Sequence, residues 1–276
     1  MNPPLEVRDL SVDYPARGST KRTVDNVSLE VFSGEILGVV GISGAGKSIL
    51  VRAMMNLVPA PGRIVAGSVS MFGRETLSLS EPALRELRGA RVGVIVQNAR
   101  IHLNPLVRIG DQIANVYRAH RKASRAEARS KVAEMLRDVG MPGAEERYSA
   151  YPHELSGGMA QRAMIAMAMI CSPELLLADE PTSGLDVTIQ DQILRLIRLS
   201  VTERGAAGLL VSRDMGIVAN YCDRVAVMQG SKIIEVASVP DFFLTAAHPH
   251  SRALIAAASY QSERPVPAPA SEQVVV

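Results

Sequence analysis

Short apolar runs alternate with helical patterns along most of the chain. The runs are four or five residues long and are bounded by turn residues, which predicts buried strands at 36–40, 92–96, 175–178, 208–212 and 225–228. Apolar residues at helical spacing predict helices at 47–57, 125–139, 159–170 and 188–204. Strands that alternate with helices indicate an α/β fold with a mainly parallel sheet covered on both faces.

Two regions depart from that pattern. Alternating apolar and polar residues at 5–12 and 24–31 predict a small antiparallel sheet. The stretch 98–165 has no strong strand run and is predicted to be a helical insert, in which Ser124 and Glu127 have the spacing of a capping box. The segment 261–276, which contains PVPAPA, buries little apolar surface, so we expect a domain over 1–260 followed by a disordered tail.

Composition narrows the classes of function. The 276 residues are 47% hydrophobic and carry a net charge of +2, which gives no electrostatic argument for a nucleic acid or an anionic membrane as main partner. The absence of tryptophan argues against stacking platforms for single-stranded nucleic acid. The N-terminus lacks the pattern of a signal peptide, and no apolar run approaches the roughly 20 residues that span a bilayer. Any membrane role is therefore expected to come through a partner.

The residues 41–48 fit the pattern G-x-x-x-x-G-K-[ST] between a predicted strand and a predicted helix. Glycines let backbone N–H groups turn onto phosphate oxygens, and the helix N-terminus adds favourable partial charge. We expect Lys47 to reach the β- and γ-phosphates of ATP and Ser48 to offer a hydroxyl to Mg²⁺. The predicted ATP-binding residues of this loop, which we call the cradle, are Gly41, Ser43, Gly44, Ala45, Gly46, Lys47, Ser48 and Ile49.

The apolar run at 175–178 ends in two carboxylates, Asp179 and Glu180. Adjacent residues at a strand end point in different directions, so the two side chains can have different roles. We expect Asp179 to hold Mg²⁺ through water and Glu180 to polarise an attacking water. Together with the cradle, this pair predicts hydrolysis of ATP.

The segment 155–162, LSGGMAQR, resembles the LSGGQ-x-Q-R signature of ABC (ATP-binding cassette) ATPases, with Met159 in place of glutamine. The resemblance covers about residues 5–260. It implies a P-loop nucleotide-binding core, a small antiparallel β-subdomain and a helical subdomain that carries the signature. It also implies that two subunits sandwich ATP. The residues that would contact ATP held by the other subunit are Ser156, Gly157, Gly158, Met159 and, in the D-loop at 183–186, Asp186.

The resemblance assigns further roles residue by residue. Tyr14 matches the aromatic that stacks on adenine, and Gln97 matches the glutamine that touches Mg²⁺ and senses the transporter. The implied metal set is Ser48, Gln97 and Asp179, and the implied catalytic set is Glu180, Gln97 and Arg213. Arg213 stands where the family has a histidine that contacts the γ-phosphate. Arginine keeps the positive charge but cannot relay a proton, so we expect hydrolysis to suffer more than binding. A tolerated substitution is the alternative.

A narrower resemblance is to the dipeptide, oligopeptide and nickel importer branch, carried by 97–99, 103–105, 109–113, 151–156 and 248–254. Within it, Asn98 and Ala99 depart from the Asp-Pro of that branch. It implies a peripheral subunit at the cytoplasmic face of a bacterial cell membrane. The implied partners are two permease subunits, a second ATPase that is a different chain and, indirectly, an extracytoplasmic binding protein. Nucleic acid is not expected as a partner. An accessory ATPase of a phosphonate-degrading complex is one alternative. A nucleotide clamp that hydrolyses poorly is another; Arg213 favours it, whereas Lys47 and Glu180 oppose it.

Overall fold

Two sheets form the framework of the computed structural model, which describes residues 2–16 and 18–262. The smaller sheet is antiparallel and has the order β2-β1-β4-β5. Its first two strands form a hairpin in which Leu5 pairs with Val31, and Leu5 also pairs with Met71 on the other side. The strands are β1 (Leu5–Ala16), β2 (Ser19–Val31), β4 (Arg63–Met71) and β5 (Arg74–Glu75).

The larger sheet has six strands in the order β10-β9-β3-β8-β7-β6. All neighbours are parallel except β10, which runs antiparallel to β9. Every residue of β3, β7 and β8 is buried, as expected for strands covered on both faces. The strands are β3 (Ile36–Val40), β6 (Val92–Ile95), β7 (Leu175–Asp179), β8 (Ala207–Val211), β9 (Arg224–Gln229) and β10 (Lys232–Ser238).

Helices cover the larger sheet and fill the region between β6 and β7. Several begin at a side-chain cap: Ser124 forms a capping box with Glu127, Ser156 caps α6 and Asp186 caps α7. The helices are α1 (Lys47–Met54), α2 (Glu81–Leu87), α3 (Ile109–His120), α4 (Arg125–Asp138), α5 (Ala144–Arg147), α6 (Gly157–Met169), α7 (Val187–Arg204), α8 (Met215–Tyr221), α9 (Val239–Thr245) and α10 (Pro249–Ser262), with short 3-10 turns at Ala99–Ile101 and Pro152–Glu154.

Two apolar clusters meet at the larger sheet. Along β3, Ile36 and Val40 belong to the cluster formed with α6 and α7, whereas Leu37 and Val39 belong to the cluster formed with α1 and the antiparallel sheet. This alternation is the two-residue period of a strand, and it shows that the central strands are packed on both faces. The carboxyl ends of β3, β7 and β8 thus lie at one fixed edge, where parallel α/β sheets bind their ligands.

The predicted α/β architecture is present, with the parallel sheet, the antiparallel sheet and the helices in the expected order. The capping box at Ser124 is confirmed. Several elements were not predicted. For example, β4 has mostly exposed or half-buried residues and therefore offers no apolar run. Of the predicted tail, residues 261–262 belong to α10, and 263–276 lie outside the described residues. Within the described ranges, no helix is long and apolar enough to cross a membrane.

Candidate active site

The cradle is the loop between β3 and α1, and two of its glycines are fixed by close contacts. Gly46, the N-cap of α1, has φ +108°, and a Cβ there would lie 2.1 Å from the carbonyl oxygen of Thr23. Gly41 has φ +152°, and a Cβ there would lie 2.2 Å from the carbonyl oxygen of Met228. A side chain at either position would collide with backbone of a neighbouring strand. Strands β2 and β9 therefore set the loop conformation that presents the N-terminus of α1.

A cavity of about 290 Å³ lies at this helix N-terminus. It collects residues that are far apart in sequence, because the loops after β3, β6, β7 and β8 all end at the same sheet edge. Most of the predicted cradle lines it, whereas Gly41 and the buried Ala45 support the loop from behind. The lining residues are Thr23, Ser43, Gly44, Gly46, Lys47, Ser48, Ile49, Gln97, Glu180 and Arg213.

Lys47 is folded back onto the cradle. Its ammonium donates to the carbonyl oxygen of Gly41 at 2.7 Å and to that of Ile42 at 3.0 Å, and the residue is only 6% exposed. Burial lowers the pKa of Lys47, the charge of Arg213 lowers it further, and the carboxylate of Glu180 opposes the shift. A buried ammonium whose positive charge is only partly neutralised is well placed to bind an anionic ligand.

Asp179 lies beneath the cradle. The residue is 4% exposed, and its Oδ1 atom has no hydrogen-bond partner within the part of the chain that the structure describes. Burial raises the pKa of this carboxyl, and hydrogen bonding from the Ser48 hydroxyl opposes that rise. A buried carboxylate oxygen without a donor and the Ser48 hydroxyl beside it are hard oxygen ligands of the kind that Mg²⁺ prefers, and the amide oxygen of Gln97, a residue that lines the cavity, is of the same kind. The three residues therefore fit a divalent cation.

Glu180 has a strained backbone, with φ +47° in the left-handed region that non-glycine residues rarely adopt. Its N–H donates to the carbonyl oxygen of Val211 at 3.1 Å, which holds this conformation at the end of β7. The turn sends the Glu180 side chain to Gln97, whose Nε2 atom donates to Glu180 Oε2 at 2.8 Å. Asp179 and Glu180 thus point to different partners, as the sequence predicts.

Arg213 also reaches Glu180. Its Nη2 atom forms an ion pair with Glu180 Oε2, the oxygen that already accepts from Gln97. Its Nη1 atom lies 3.4 Å from the hydroxyl oxygen of Ser43 in the cradle. The carboxylate side chain is 14% exposed and the guanidinium side chain 52%. Arg213 therefore bridges the acidic strand end and the cradle, an arrangement that the sequence does not reveal.

The signature residues lie elsewhere. Ser156 is the N-cap of α6 and accepts from the N–H of Met159 at 3.2 Å, and a Cβ on Gly157 would point into open space. Ser156 and Gly157 are exposed, Gly158 and Met159 are half-buried, and none of them lines the cavity at the cradle. Asp186 caps α7 by accepting from the N–H of Ile189 at 3.0 Å. The chain therefore presents a second helix N-terminus at its surface, separate from its own cradle.

A buried glutamine on the signature helix connects these regions. Gln161 is 3% exposed, and its Nε2 atom donates to the carbonyl oxygens of Pro181 at 2.8 Å and Val96 at 3.3 Å. Its Oε1 atom accepts from the N–H of Ala99 at 3.4 Å. The bonds tie α6 to the loops that contain Gln97 and Glu180. The sequence feature that could have identified Gln161 is a polar residue on the buried, otherwise apolar face of a helix.

Tyr14, the predicted adenine contact, does not line the cavity either. Its ring packs on Gly62, where a Cβ would lie 2.3 Å from the ring. Its hydroxyl oxygen is buried without a hydrogen-bond partner in the described ranges, and Tyr14 is not among the residues that line the cavity. Stacking of Tyr14 on adenine stays a prediction.

The model of the ABC transporter family matches residues 24–183, which is more than half of the chain. The chain belongs to the ABC transporter family. The match begins in β2 and runs through the cradle, the signature and Glu180, so it includes all the lining residues of the cavity except Thr23 and Arg213. Membership confirms the family resemblance and implies that the chain binds ATP.

Curated relatives narrow the comparison. The chain is 48% identical, over 91% of its own length and 75% of the relative's, to a probable peptide ABC transporter ATP-binding protein of Sinorhizobium fredii. It is 42% identical, over 92% and 77%, to the probable D,D-dipeptide transport ATP-binding protein DdpD of Escherichia coli. It is 40% identical, over 91% and 71%, to the oligopeptide transport ATP-binding protein OppD of Bacillus subtilis. The relatives of this ABC subunit are thus ATP-binding subunits of peptide transporters.

Solved structures confirm the fold. A dimeric ATP-binding cassette in a post-hydrolysis state, bound to ADP and phosphate, matches with a TM-score of 0.78 at 23% identity, over 85% of this chain and 98% of that one. An ATP-binding subunit of an ABC transporter matches with a TM-score of 0.75 at 24% identity, over 92% and 99%. The predicted fold class, a P-loop core with an antiparallel β-subdomain and a helical subdomain, is therefore correct.

Proposed function

We propose that this ABC subunit hydrolyses ATP to drive an importer of peptides. The observation that carries the proposal is the cavity lined by the cradle and Glu180, with Asp179 buried beside Ser48 of the cradle, because together they supply the groups that phosphoryl transfer needs. The kinship with ATP-binding subunits of peptide transporters supports the class of solute. The proposed partners are two permease subunits and a second ATPase that is a different chain. The proposed location is the cytoplasmic face of the cell membrane, with an extracytoplasmic binding protein acting indirectly.

The cradle would bind the phosphates of ATP. The cradle and the N-terminus of α1 line the cavity, so their backbone N–H groups would donate to phosphate, and the buried ammonium of Lys47 would move from its own carbonyl partners to phosphate oxygens. Ser48, Gln97 and Asp179 would hold Mg²⁺, which when bound neutralises charge between the terminal phosphates. The donor-free Oδ1 atom of Asp179 supports this assignment.

Glu180 would position and polarise the attacking water. The water oxygen forms a bond to the γ-phosphorus, the bond from that phosphorus to the bridging oxygen of ADP breaks, and the carboxylate accepts the proton of the water. Gln97, which donates to Glu180 at 2.8 Å, would hold the carboxylate in place. The exposed N-terminus of α6, with Ser156 and Gly157, would complete the site of a second subunit by contacting the γ-phosphate held there.

Arg213 would make the site on this chain's own cradle the slower of the two. The guanidinium is permanently charged, so it cannot accept or relay a proton as a histidine at this position could. If the partner ATPase has histidine at the equivalent position, the partner's site should carry most of the turnover. Arg213→His in the assembled complex should then raise the total turnover or leave it unchanged. A loss of turnover would contradict the assigned role.

The test of the transport proposal is purification of the assembled complex and measurement of peptide-dependent ATP hydrolysis in vesicles. We expect permease subunits to co-purify and peptide with binding protein to stimulate turnover. Stimulation only by a nickel chelate would replace the proposed solute. Co-purification with soluble enzymes of phosphonate degradation would replace transport altogether.

The ion pair of Arg213 with Glu180 favours a second candidate, a nucleotide clamp that closes on ATP without efficient hydrolysis. The two candidates differ in a single measurement. With the water-polarising glutamate of the partner ATPase removed, the complex of a clamp would bind ATP tightly and show no turnover above that of its Glu180→Gln variant. The complex of a transport ATPase would lose most of the turnover at its own site with that substitution.

A further inference from the structure

The ion pair between Arg213 and Glu180 joins two groups that the proposed hydrolysis needs apart. Glu180 Oε2 accepts from both Gln97 and Arg213, so one oxygen of the carboxylate carries two donors. A carboxylate oxygen occupied by a guanidinium has less charge and fewer lone pairs to offer a water. The pair therefore holds Glu180 in a form that is poor at polarising water.

The second contact of the Arg213 guanidinium indicates how its ion pair with Glu180 can be broken. Arg213 Nη1 lies 3.4 Å from Ser43 Oγ, and Ser43 belongs to the cradle that would surround the terminal phosphates. The Arg213 side chain is 52% exposed, so it can change rotamer at low cost in packing. A terminal phosphate at the cradle offers more negative charge than one carboxylate and a better match to the planar fork of arginine.

We propose that Arg213 is a nucleotide-gated latch, which covers Glu180 while the cradle is empty or holds a diphosphate and moves to the γ-phosphate when a triphosphate binds. This inference rests on the proposed function of the site. It makes Arg213 a sensor of the third phosphate. Release of Glu180 then depends on the presence of the γ-phosphate, which is the group to be hydrolysed.

The latch has a thermodynamic consequence. Binding of a triphosphate must break the Arg213–Glu180 pair, whereas binding of ADP leaves it intact. Removing the negative charge of Glu180 frees Arg213 in advance, so triphosphate should bind more tightly. Part of that gain comes simply from less repulsion between Glu180 and the phosphate. Only the excess that requires Arg213 reports on the latch, and a double-mutant cycle isolates it.

The experiment is equilibrium titration of the full chain with a non-hydrolysable ATP analogue and, separately, with ADP, both with Mg²⁺. Four forms are compared: the unaltered chain, Glu180→Gln, Arg213→Gln and the double variant. We expect Glu180→Gln to tighten binding of the analogue about fivefold more when Arg213 is present than when it is replaced, the upper range for a partly exposed ion pair. ADP should show no such excess.

A matched control uses an exposed pair far from the cavity. Arg91 forms two hydrogen bonds to Glu174, at 2.6 and 2.8 Å, and Glu174→Gln should leave both nucleotide affinities unchanged. If Glu180→Gln does not fold, Glu180→Asp replaces it, because the shorter side chain keeps the charge but withdraws from Arg213. The same excess is expected.

Two results would overturn the latch: an equal effect of Glu180→Gln with and without Arg213, or an excess that appears equally with ADP. Either result leaves nucleotide binding itself intact. Failure of the unaltered chain to bind the analogue at all would instead contradict the proposed function, so the two failures are distinct.

Discussion

The cradle and the signature region each present a helix N-terminus, but their surroundings are opposite. Among the described residues, no side chain caps the N-terminus of α1. This N-terminus lies in a cavity whose charged groups have internal partners: Lys47 donates to carbonyls, and Arg213 pairs with Glu180. The N-terminus of α6 is capped by Ser156 and lies exposed, with open space in front of Gly157. Under the proposed function, the cradle would exchange these internal partners for phosphate when ATP binds. The signature region, which has no such cavity of its own, would act on nucleotide held by another subunit.

The largest effect is expected at Glu180, which lines the cavity beside the cradle. Glu180→Gln removes the carboxylate that would polarise water and leaves Asp179 to hold Mg²⁺. Turnover at this site should fall about a thousandfold, within the range for loss of a general base, while ATP binding is kept and a closed pair of subunits accumulates. Single-turnover hydrolysis and size-exclusion chromatography with ATP measure the two effects. Unchanged hydrolysis at this site would remove Glu180 from the mechanism.

Removal of the Lys47 ammonium should weaken ATP binding and leave the signature region unchanged. Lys47→Ala removes a buried ammonium that would be transferred to phosphate oxygens, so ATP affinity should fall about a hundredfold, as for a desolvated charged contact. Isothermal titration of the isolated chain measures it. Lys122→Ala, at an exposed position outside the cavity, is the control and should bind ATP normally. Equal affinity of the Lys47 variant and the control would contradict the binding role.

The next largest effect is expected from the hydrogen bonds of Gln161, which join the signature helix α6 to the loops that contain Gln97 and Glu180. Gln161→Met keeps the length of the side chain but leaves the carbonyls of Pro181 and Val96 without their donor. We expect a loss of about 2 kcal/mol in the free energy of unfolding, because buried acceptors would be unsatisfied. Chemical denaturation measures the loss. Gln190→Met on α7, which is half-buried, is the control, and an equal change in both variants would show that Gln161 has no special role.

The smallest expected effect depends on pH and concerns Asp179. Burial raises the pKa of this carboxyl above its ordinary 3.8, so the folded chain holds the proton to higher pH than the unfolded chain. The associated stability is present below about 3.8 and is lost as the pH rises through the folded-state pKa. Without divalent cation, Asp179→Asn should therefore gain about 1 kcal/mol in stability at neutral pH and little in acid. Thermal melts of both chains from acid to neutral pH measure the difference in stability. A gain for Asp179→Asn that is the same at every pH would contradict the assignment to ionisation of Asp179.

Sequence reasoning succeeded where a local pattern has a single structural solution. A fully buried run such as Leu175–Asp179 has to be a central strand, and the cradle pattern has to join a strand to a helix. It failed where burial is partial, as along β4, because the antiparallel sheet exposes one face and leaves no apolar run. It also failed for side-chain pairs that only the sheet edge brings together. Arg213 and Glu180 are 33 positions apart, and no spacing rule predicts that they meet.

The central claim is that this chain binds ATP with its own cradle and uses its signature only on nucleotide held by another subunit. Gly157→Asp tests it cleanly, because a side chain there faces open space and an acidic residue suits the first turn of a helix, so the fold should be kept. The isolated variant should bind ATP within about twofold of the unaltered chain, the level of a distant surface substitution. The assembled complex should lose most of its turnover, because the new carboxylate would repel the phosphate held by the partner, while Gly157→Ala keeps more. Loss of ATP binding by the isolated Gly157→Asp chain, comparable to that of Lys47→Ala, would contradict the claim.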